Sequence, residues 1–262
     1  MIVLRRWGVA VLGLFVASQV WAQEEGKGDE KAEEEAAKEH IKAYKDEVKK
    51  AKSEDDVVLA IEKLGEKQHA LVREELAKLL KHKSAAVRKE AVRQIARHEK
   101  DEAAATLLLD HAGKERELEV AGIALEGLGD LQVKSVAKGL TRFFGHQELN
   151  IAAAAISASG EIGSKDSVQP LIGLLEELER IQEKDDGSSP PLPGPGPGGS
   201  VPSGSLKDKE IEKKDRLTPE VLGALQSITD QKFKRAQDWR DWWVRKMKNG
   251  QGFKEKDEKD ED

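Results

Sequence analysis

Ala91-Val92-Arg93-Gln94-Ile95-Ala96 and Ala124-Leu125-Glu126-Gly127-Leu128-Gly129 are two copies of one short pattern, and this pattern decides the fold. Both read Ala-apolar-x-x-apolar. The same form, or a close variant, begins at Ala60, Ala158 and Ala224, so that successive copies are 31, 33, 34 and 66 residues apart. A fixed period of this length is the signature of a repeat architecture. The last interval is twice the period because a long insertion precedes the fifth copy.

A second amphipathic segment follows each of the first four copies after a short polar turn. Examples are Val72–Leu80, Val133–Phe144 and Val168–Leu178, in which apolar residues recur at steps of three and four. This spacing places one apolar stripe on each helix. A single striped helix cannot bury its own stripe, but helix pairs stacked side by side bury all of them in one continuous core. The sequence therefore predicts an all-α fold, an α-solenoid of about five helix pairs.

The repeated segments resemble a known family. Val87-Arg88-Lys89-Glu90-Ala91-Val92 and the stretch from Ala158 to Leu171 are similar to HEAT repeats, in particular to the short bacterial type named after phycobilisome lyases. The similarity covers residues 36–182 and 218–248. The Asp that is usual in the turn before the Val-Arg pair is Ser84 here, and the Arg recurs in no other repeat. We therefore expect no ladder of turn-to-helix hydrogen bonds along the solenoid.

The resemblance also implies a binding surface. In HEAT solenoids the helix that carries the Ala-apolar-x-x-apolar motif lines the concave side, so the two middle positions of each copy are expected to project inward. The charges at these positions are mixed, which disfavours a highly charged ligand. The alternative is that Gly122, Gly127, Ala152–Ala155 and Gly160 only let the helices pack tightly. The inward pairs are Glu62/Lys63, Arg93/Gln94, Glu126/Gly127, Gly160/Glu161 and Gln226/Ser227.

The first 22 residues have the form of an export signal. Arg5 and Arg6 precede an apolar run from Trp7 to Val16, and Val20-Trp21-Ala22 is typical of a signal-peptidase site. The run is shorter than the roughly 20 residues that span a bilayer. We expect cleavage after Ala22 and a mature protein in the periplasm or outside the cell. The chain has no Cys, so disulfides and thiolate metal sites are excluded.

Charge and composition mark the remaining segments. Residues 23–39 hold eight acidic and three basic residues, residues 254–262 hold six and three, and residues 40–253 balance at 36 of each. This balance argues against a nucleic-acid partner, which requires a basic patch. We predict an acidic disordered start at 23–35, the solenoid at 36–248, and an acidic disordered tail at 249–262. Residues 183–217 contain six of the eight prolines and are predicted to be an inserted loop. We interpret this loop as a linker between helices, and the alternative is a docking peptide.

The C-terminal aromatic residues permit two interpretations. Trp239, Trp243 and Met247 recur at steps of four and form one stripe, with Trp242 beside it. The favoured interpretation is a Trp-rich cap helix that closes the last core face of the solenoid. The other is an exposed aromatic platform for a sugar or a peptide, for which Trp242 is the better candidate.

The sequence gives little support for a metal site or a catalytic site. One His follows the second helix of three successive pairs, but layers roughly 10 Å apart do not let such residues converge on a metal ion. The chain carries no nucleophile elbow, no His-Glu-x-x-His sequence and no phosphate-binding Gly loop. The sequence therefore predicts a non-enzymatic protein without cofactors that binds another protein, with glycan or small-ligand binding as the second choice. The His residues are His82, His111 and His146, and the predicted contact residues are Glu62, Arg93, Glu126, Glu161, Gln226 and Trp242.

Overall fold

The computed structural model describes the backbone of residues 12–185 and 206–248 and the side chains of residues 30–181 and 208–247. Over these ranges the regular structure is helical, without a strand, and the fold is an all-α solenoid, as the sequence predicts. No helix in the described part combines the length and the apolar character that crossing a membrane requires. The helices are α1 (Leu12–Lys50), α2 (Glu54–Leu64), α3 (Ala70–Leu79), α4 (Ala85–Ala96), α5 (Glu102–Ala112), α6 (Leu118–Leu131), α7 (Ala137–Leu140), α8 (Leu149–Ile162), α9 (Val168–Asp185), α10 (Leu206–Thr229) and α11 (Ala236–Lys248).

The first compact unit ends at Glu75 and contains α1, α2 and the start of α3. Helix α2 begins at a capping box in which Ser53 and Asp56 satisfy each other's backbone N–H groups. The imidazole Nε2 of His40 on α1 bonds the carbonyl oxygen of Lys63, at 2.9 Å, in the last turn of α2. Helix α1 is thereby fixed to the C-terminal end of α2, and Tyr44 on α1 is buried.

Residues 23–35 lie inside α1, so the prediction of a disordered acidic start was wrong. The composition explains the difference, because Ala, Glu and Lys are among the strongest helix formers even when the segment carries net charge. Lys38 adds a local ion pair with Glu34 one turn earlier, at 2.8 Å. The predicted signal peptide, residues 1–22, lies partly outside the described residues and stays a prediction.

The second compact unit begins at Leu76 and contains two layers of helices. Helices α4, α6, α8 and α10 pack side by side in one layer, and α5, α7, α9 and α11 form the other. Small residues let α4, α6, α8 and α10, the first helix of each pair, pack closely against one another. A Cβ atom at Gly127 would lie 2.7 Å from the Cβ of Ala96, and one at Gly160 would lie 2.9 Å from the Cα of Ala224. These two glycines let neighbouring helices approach closely, as one reading of the sequence expects.

The insertion is shorter than predicted. Helix α9 continues to Asp185 and α10 already begins at Leu206, so residues 206–217 of the predicted loop are helical. Residues 186–205 lie outside the described part of the chain. The segment 206–217 is rich in Lys, Glu and Asp, and it is anchored by the fully buried Leu217 and by Lys213, which pairs with Glu177 of α9 at 2.8 Å. These contacts stabilise the helix ahead of Pro219, which lies inside α10.

The C-terminal helix α11 is a cap, as predicted. Trp239 is 0% exposed and Trp243 is 7% exposed, and Phe233 meets the edge of Trp239 with ring centroids 5.0 Å apart. Two polar contacts fix α11 to α9. Arg240 pairs with Glu176, and the backbone N–H of Ala236 donates to the carboxylate of Glu179 at 2.8 Å. Met247 departs from the predicted stripe, because its side chain is 53% exposed.

Candidate partner-binding surface

The first helices of the second unit share one exposed side, which we call the first-helix face. It is the exposed surface of α4, α6, α8 and α10, the remaining sides of these helices being buried against the second layer and against one another. Helix α8 is the most enclosed, since every residue from Ile151 to Ile156 is buried while Ser157 and Glu161 are exposed. The face is therefore polar at its surface and supported by small, packed side chains beneath.

Neighbouring first helices run parallel and in register. Lys89 of α4 pairs with Glu119 of α6 at 2.7 Å, and two turns later Ala96 lies against Gly127. The same order recurs between α6 and α8, where Gly122 lies near Ile151 and Gly129 lies near Ala158. Because the register repeats, equivalent positions of successive helices form rows across the face.

Four of the predicted contact residues lie on this face. Arg93, Glu126, Glu161 and Gln226 are exposed on α4, α6, α8 and α10 respectively. Glu62 is exposed on α2 in the first compact unit. At least one residue of each predicted inward pair thus lies at the surface, and in the pairs Glu62/Lys63 and Gln226/Ser227 both residues do.

The other middle positions mostly do not project outward. Gln94, Gly127 and Gly160 are buried, so the prediction was wrong for these three residues. The cause is that successive residues of a helix point about 100° apart, so where a helix is flanked on both sides one of the two middle residues is turned against a neighbouring helix. Ser227 is exposed, although its hydroxyl group donates to the carbonyl oxygen of Gly160 at 2.9 Å and ties α10 to α8.

Acidic side chains cluster where α6 meets α8. Glu161 is exposed on one side, but its carboxyl lies against Gly129 of α6, and this partial burial raises its pKa. The nearby Asp130 and Glu126 carboxylates raise the pKa further, while a hydrogen bond from the Ser157 hydroxyl lowers it. On α4, by contrast, the exposed side chain is that of Arg93, a cation that lies 3.3 Å from the carboxylate of Glu90. The face therefore changes from basic to acidic along the row of helices.

The Trp cluster retains one partly exposed ring. Trp242 lies on α11, which packs on α9, and it is half-buried beside the buried Trp239 and Trp243, with ring centroids 6.2 and 6.0 Å away. Trp242 is thus separate from the row of first helices. Because the rings of Trp239 and Trp243 are buried, they add almost no exposed aromatic surface to that of Trp242.

Arg88 forms a buried contact between successive repeats, which the sequence analysis did not anticipate. Its Nε and one terminal nitrogen donate to both carboxylate oxygens of Glu115, at 2.7 and 2.9 Å, and its other terminal nitrogen donates to the carbonyl oxygen of His82. Glu115 also accepts the backbone N–H groups of Arg116 and Glu117. Its side chain is only 5% exposed. Glu115 lies 27 residues after Arg88, in the turn before α6. In the sequence, the Val87-Arg88 pair was the feature that could have indicated this contact.

The electrostatics of Glu115 follow from this contact. Burial acts to raise the pKa of the carboxyl, but the hydrogen bonds from Arg88 and from the two backbone N–H groups outweigh it and lower the pKa to about 2. His111 lies beside the pair, with its Nε2 3.3 Å from Glu115. Burial lowers the pKa of His111, the Glu115 carboxylate acts in the opposite direction, and the Arg88 charge lowers it further.

The histidines considered as metal ligands have other contacts. The Nδ1 atoms of His82 and His146 each accept the backbone N–H two residues later, from Ser84 at 3.2 Å and Glu148 at 3.1 Å. His69 makes the same bond with Leu71. Each of these histidines thus stabilises the turn before a helix. Among the described residues, no group of three His, Asp or Glu side chains is arranged to hold a metal ion.

Comparison with known families agrees with this geometry. The family model of HEAT repeats matches residues 42–129, about a third of the chain. Residues 42–129 are therefore similar to HEAT repeats. The match ends within α6, and α8 and α10 continue the same side-by-side packing beyond it. No curated protein matches the chain.

Proposed function

We propose that this HEAT-repeat protein is a non-catalytic scaffold that binds a protein partner on the first-helix face, outside the cytoplasm. The observation that carries the proposal is the in-register row of exposed positions on α4, α6, α8 and α10. HEAT repeats commonly serve as protein-interaction scaffolds. An ordered row of this kind offers several spaced contacts to one extended partner.

The chemistry of the face suggests the kind of contact. The exposed Arg93 on α4 and the carboxylates on α6 and α8 favour a partner with the opposite order of charges, and such complementarity fixes register and orientation. Ala153 and Ala154 of α8 are small and buried, and Gly223 of α10 is exposed with open space above it. A partner backbone can therefore approach the centre of the face closely.

Two exposed glycines provide a matched test. Gly223 lies on the first-helix face and Gly173 lies on α9 in the second layer, and a Cβ atom added at either position would meet no neighbouring side chain or helix within 4 Å. Gly-to-Arg changes at both sites should leave the fold intact, because Arg is a better helix former than Gly. With the partner captured from an extracellular or periplasmic extract and then purified, we expect G223R to weaken its binding by about tenfold or more and G173R to leave it unchanged. Equal affinity for both variants would exclude this face.

Export is the second part of the proposal. It rests on the two arginines, the apolar run and the Val20-Trp21-Ala22 site near the start of the sequence. Mass spectrometry of the protein from the exported fraction should find Gln23 as the first residue. Recovery of a chain that starts at Met1 in the cytoplasmic fraction would contradict this part while leaving the binding face untouched.

A further inference from the structure

A cavity of about 610 Å³ lies where the ends of α3 and α5 meet the turn before α6. We call it the α3–α5 cavity, and the residues that line it belong to the second compact unit. Its volume falls within the range of roughly 300–1,000 Å³ that is usual for small-molecule sites. Part of the lining is apolar, with Leu80 buried and Ala77 and Leu107 half-buried. The cavity therefore offers a surface against which an apolar group can pack.

Charged side chains form much of the remaining lining, and some of them are already paired. Arg88 forms the buried ion pair with Glu115, and Lys114 lies 3.5 Å from the carboxylate of Asp110. These two cations and two carboxylates offset each other within the wall of the cavity. A charged ligand must therefore find its complement among the side chains that remain.

The remaining charges leave the cavity with one positive charge in excess. Lys81 and Arg116 line it and are exposed, and neither forms an ion pair within the described part of the chain. Among the described lining residues, Glu117 is the only further carboxylate. Four cations thus face three carboxylates when the histidines are neutral. This excess favours a ligand with a single negative charge, because the carboxylates would repel a second one.

His111 adds a buried polar atom that lacks a hydrogen bond. Its side chain lines the cavity and is only 10% exposed. The Nε2 atom lies 3.3 Å from the carboxylate of Glu115, but it makes no hydrogen bond with this group or with any other in the described part of the chain. The negative charge of Glu115 favours the tautomer with a proton on Nε2. An acceptor oxygen of a ligand in the cavity would satisfy this buried N–H group, which otherwise lacks an explanation.

We propose that the α3–α5 cavity binds a small organic acid that carries one carboxylate and one apolar group. Lys81, Arg116 and the Nε2 atom of His111 bind the carboxylate, and the apolar group packs on the apolar part of the lining. The C-terminal residue of a peptide has the same chemistry, but the volume of the cavity matches a single small molecule. None of the predicted contact residues lines this cavity, so the proposal does not rest on the function proposed above.

The probe is 4-phenylbutyrate, with 4-phenylbutyramide and butyrate as comparison compounds. The amide has nearly the same shape without the charge, and butyrate has the charge without the ring. Binding to the full-length, ¹⁵N-labelled protein is followed by NMR at pH 7. We expect saturable shifts at the backbone amides of Leu107 and Arg116 and at the Nε2 atom of His111. Either comparison compound should bind at least about tenfold more weakly, because it lacks one of the two contacts.

Matched variants locate the site. K81Q/R116Q removes the two unpaired cations, and K83Q removes an exposed cation close to Lys81 that does not line the cavity. We expect K81Q/R116Q to lower the affinity for 4-phenylbutyrate by about tenfold or more and K83Q to leave it unchanged. A77M enlarges an apolar side chain of the lining and should also weaken binding, because it takes up volume that the ring needs. Since the three cations are exposed, urea unfolding of K81Q/R116Q and K83Q should match that of the unaltered protein.

Several results would overturn the proposal. Equal affinities for the acid and the amide would show that the cations and His111 do not bind a carboxylate. Equal affinities of K81Q/R116Q and K83Q would show that the acid binds elsewhere, and shifts that do not saturate would show that the protein has no such site. A peptide Gly-Gly-Gly-Phe that binds at least about tenfold more tightly than 4-phenylbutyrate would identify the C-terminal residue of a partner protein, and not a free acid, as the ligand.

Discussion

Replacing Arg88 with Met tests whether the Arg88–Glu115 ion pair stabilises the contact between successive repeats. The guanidinium group satisfies Glu115, which lies in the turn before the next first helix, and also donates to the carbonyl oxygens of His82 and Lys83. Met retains much of the aliphatic volume of Arg but provides no donor. The variant therefore leaves the carboxylate of Glu115 buried, with only two backbone N–H groups as partners.

The expected cost follows from the burial of the pair. Arg88 is 13% and Glu115 is 5% exposed at the side chain, and removing one partner of a buried pair costs about 3–5 kcal/mol. The lowered pKa of Glu115 agrees in sign. Burial raises the pKa, but the hydrogen bonds from Arg88 and the two backbone N–H groups outweigh it and hold the pKa at about 2, below the ordinary 4.5.

Urea unfolding followed by circular dichroism measures the effect, with R93M as the control. Arg93 is on the same helix and its side chain is 54% exposed. Its partner Glu90 is 10% exposed at the side chain but keeps the hydrogen bond from the Gln94 amide when Arg93 is lost, so R93M should cost only about 1 kcal/mol. The pH dependence has a defined sign. The folded pKa of Glu115 lies below the unfolded value, so its contribution is complete above about pH 4.5 and is lost as the pH falls toward 2. The difference between R88M and the unaltered protein should shrink over that interval. Equal unfolding free energies for R88M and R93M at pH 7 would show that the Arg88–Glu115 pair does not stabilise the contact between repeats.

The remaining predictions concern the cap, the packing and one histidine. Trp239→Ala should cost about 3–5 kcal/mol and Trp242→Ala clearly less, because only the first ring is fully buried; equal thermal melts for both would remove the cap assignment. Gly160→Ala should lower the free energy of unfolding by about 1–3 kcal/mol, because its Cβ would lie 2.9 Å from a backbone atom of α10. Gly173→Ala should raise it by about 0.5–1 kcal/mol. Urea midpoints of the two variants that shift in the same direction would contradict this. His111 should titrate below 6.5 by NMR because it is buried, so its contribution to stability falls as the pH drops through 6.5; a raised pKa would mean that Glu115 outweighs burial and Arg88.

The sequence predicted the parts of the fold that local pattern determines. The Ala-apolar-x-x-apolar copies located the first helices, and the spacing of Trp239 and Trp243 predicted the buried stripe of the cap. The contact between Arg88 and Glu115 could not be read in the same way, because it joins two residues of different repeats across a turn. The helical segment 206–217 was missed because its proline-rich neighbourhood suggested a loop, while the contact between Lys213 and Glu177 that supports it is non-local.

The surface was predictable in part for a related reason. Motif position indicated which helices form the first-helix face, but it did not distinguish the outward residue of each middle pair from the buried one. Gly160 is buried because Ala224 lies against it, and Gln226 is exposed because its side of α10 faces no other helix. Such distinctions depend on the distance between neighbouring helices, which a degenerate repeat motif does not encode.

Site-specific photo-crosslinking shows directly whether a partner protein binds the first-helix face. Benzoylphenylalanine is placed at position 223 on the first-helix face or at position 173 on α9, both of which are exposed with open space above them. We expect one discrete adduct of higher mass from position 223 in cells, with a single partner protein identified in it, and no such adduct from position 173. Adducts of equal yield from both positions, or a discrete adduct from position 173 alone, would exclude the first-helix face as the binding surface.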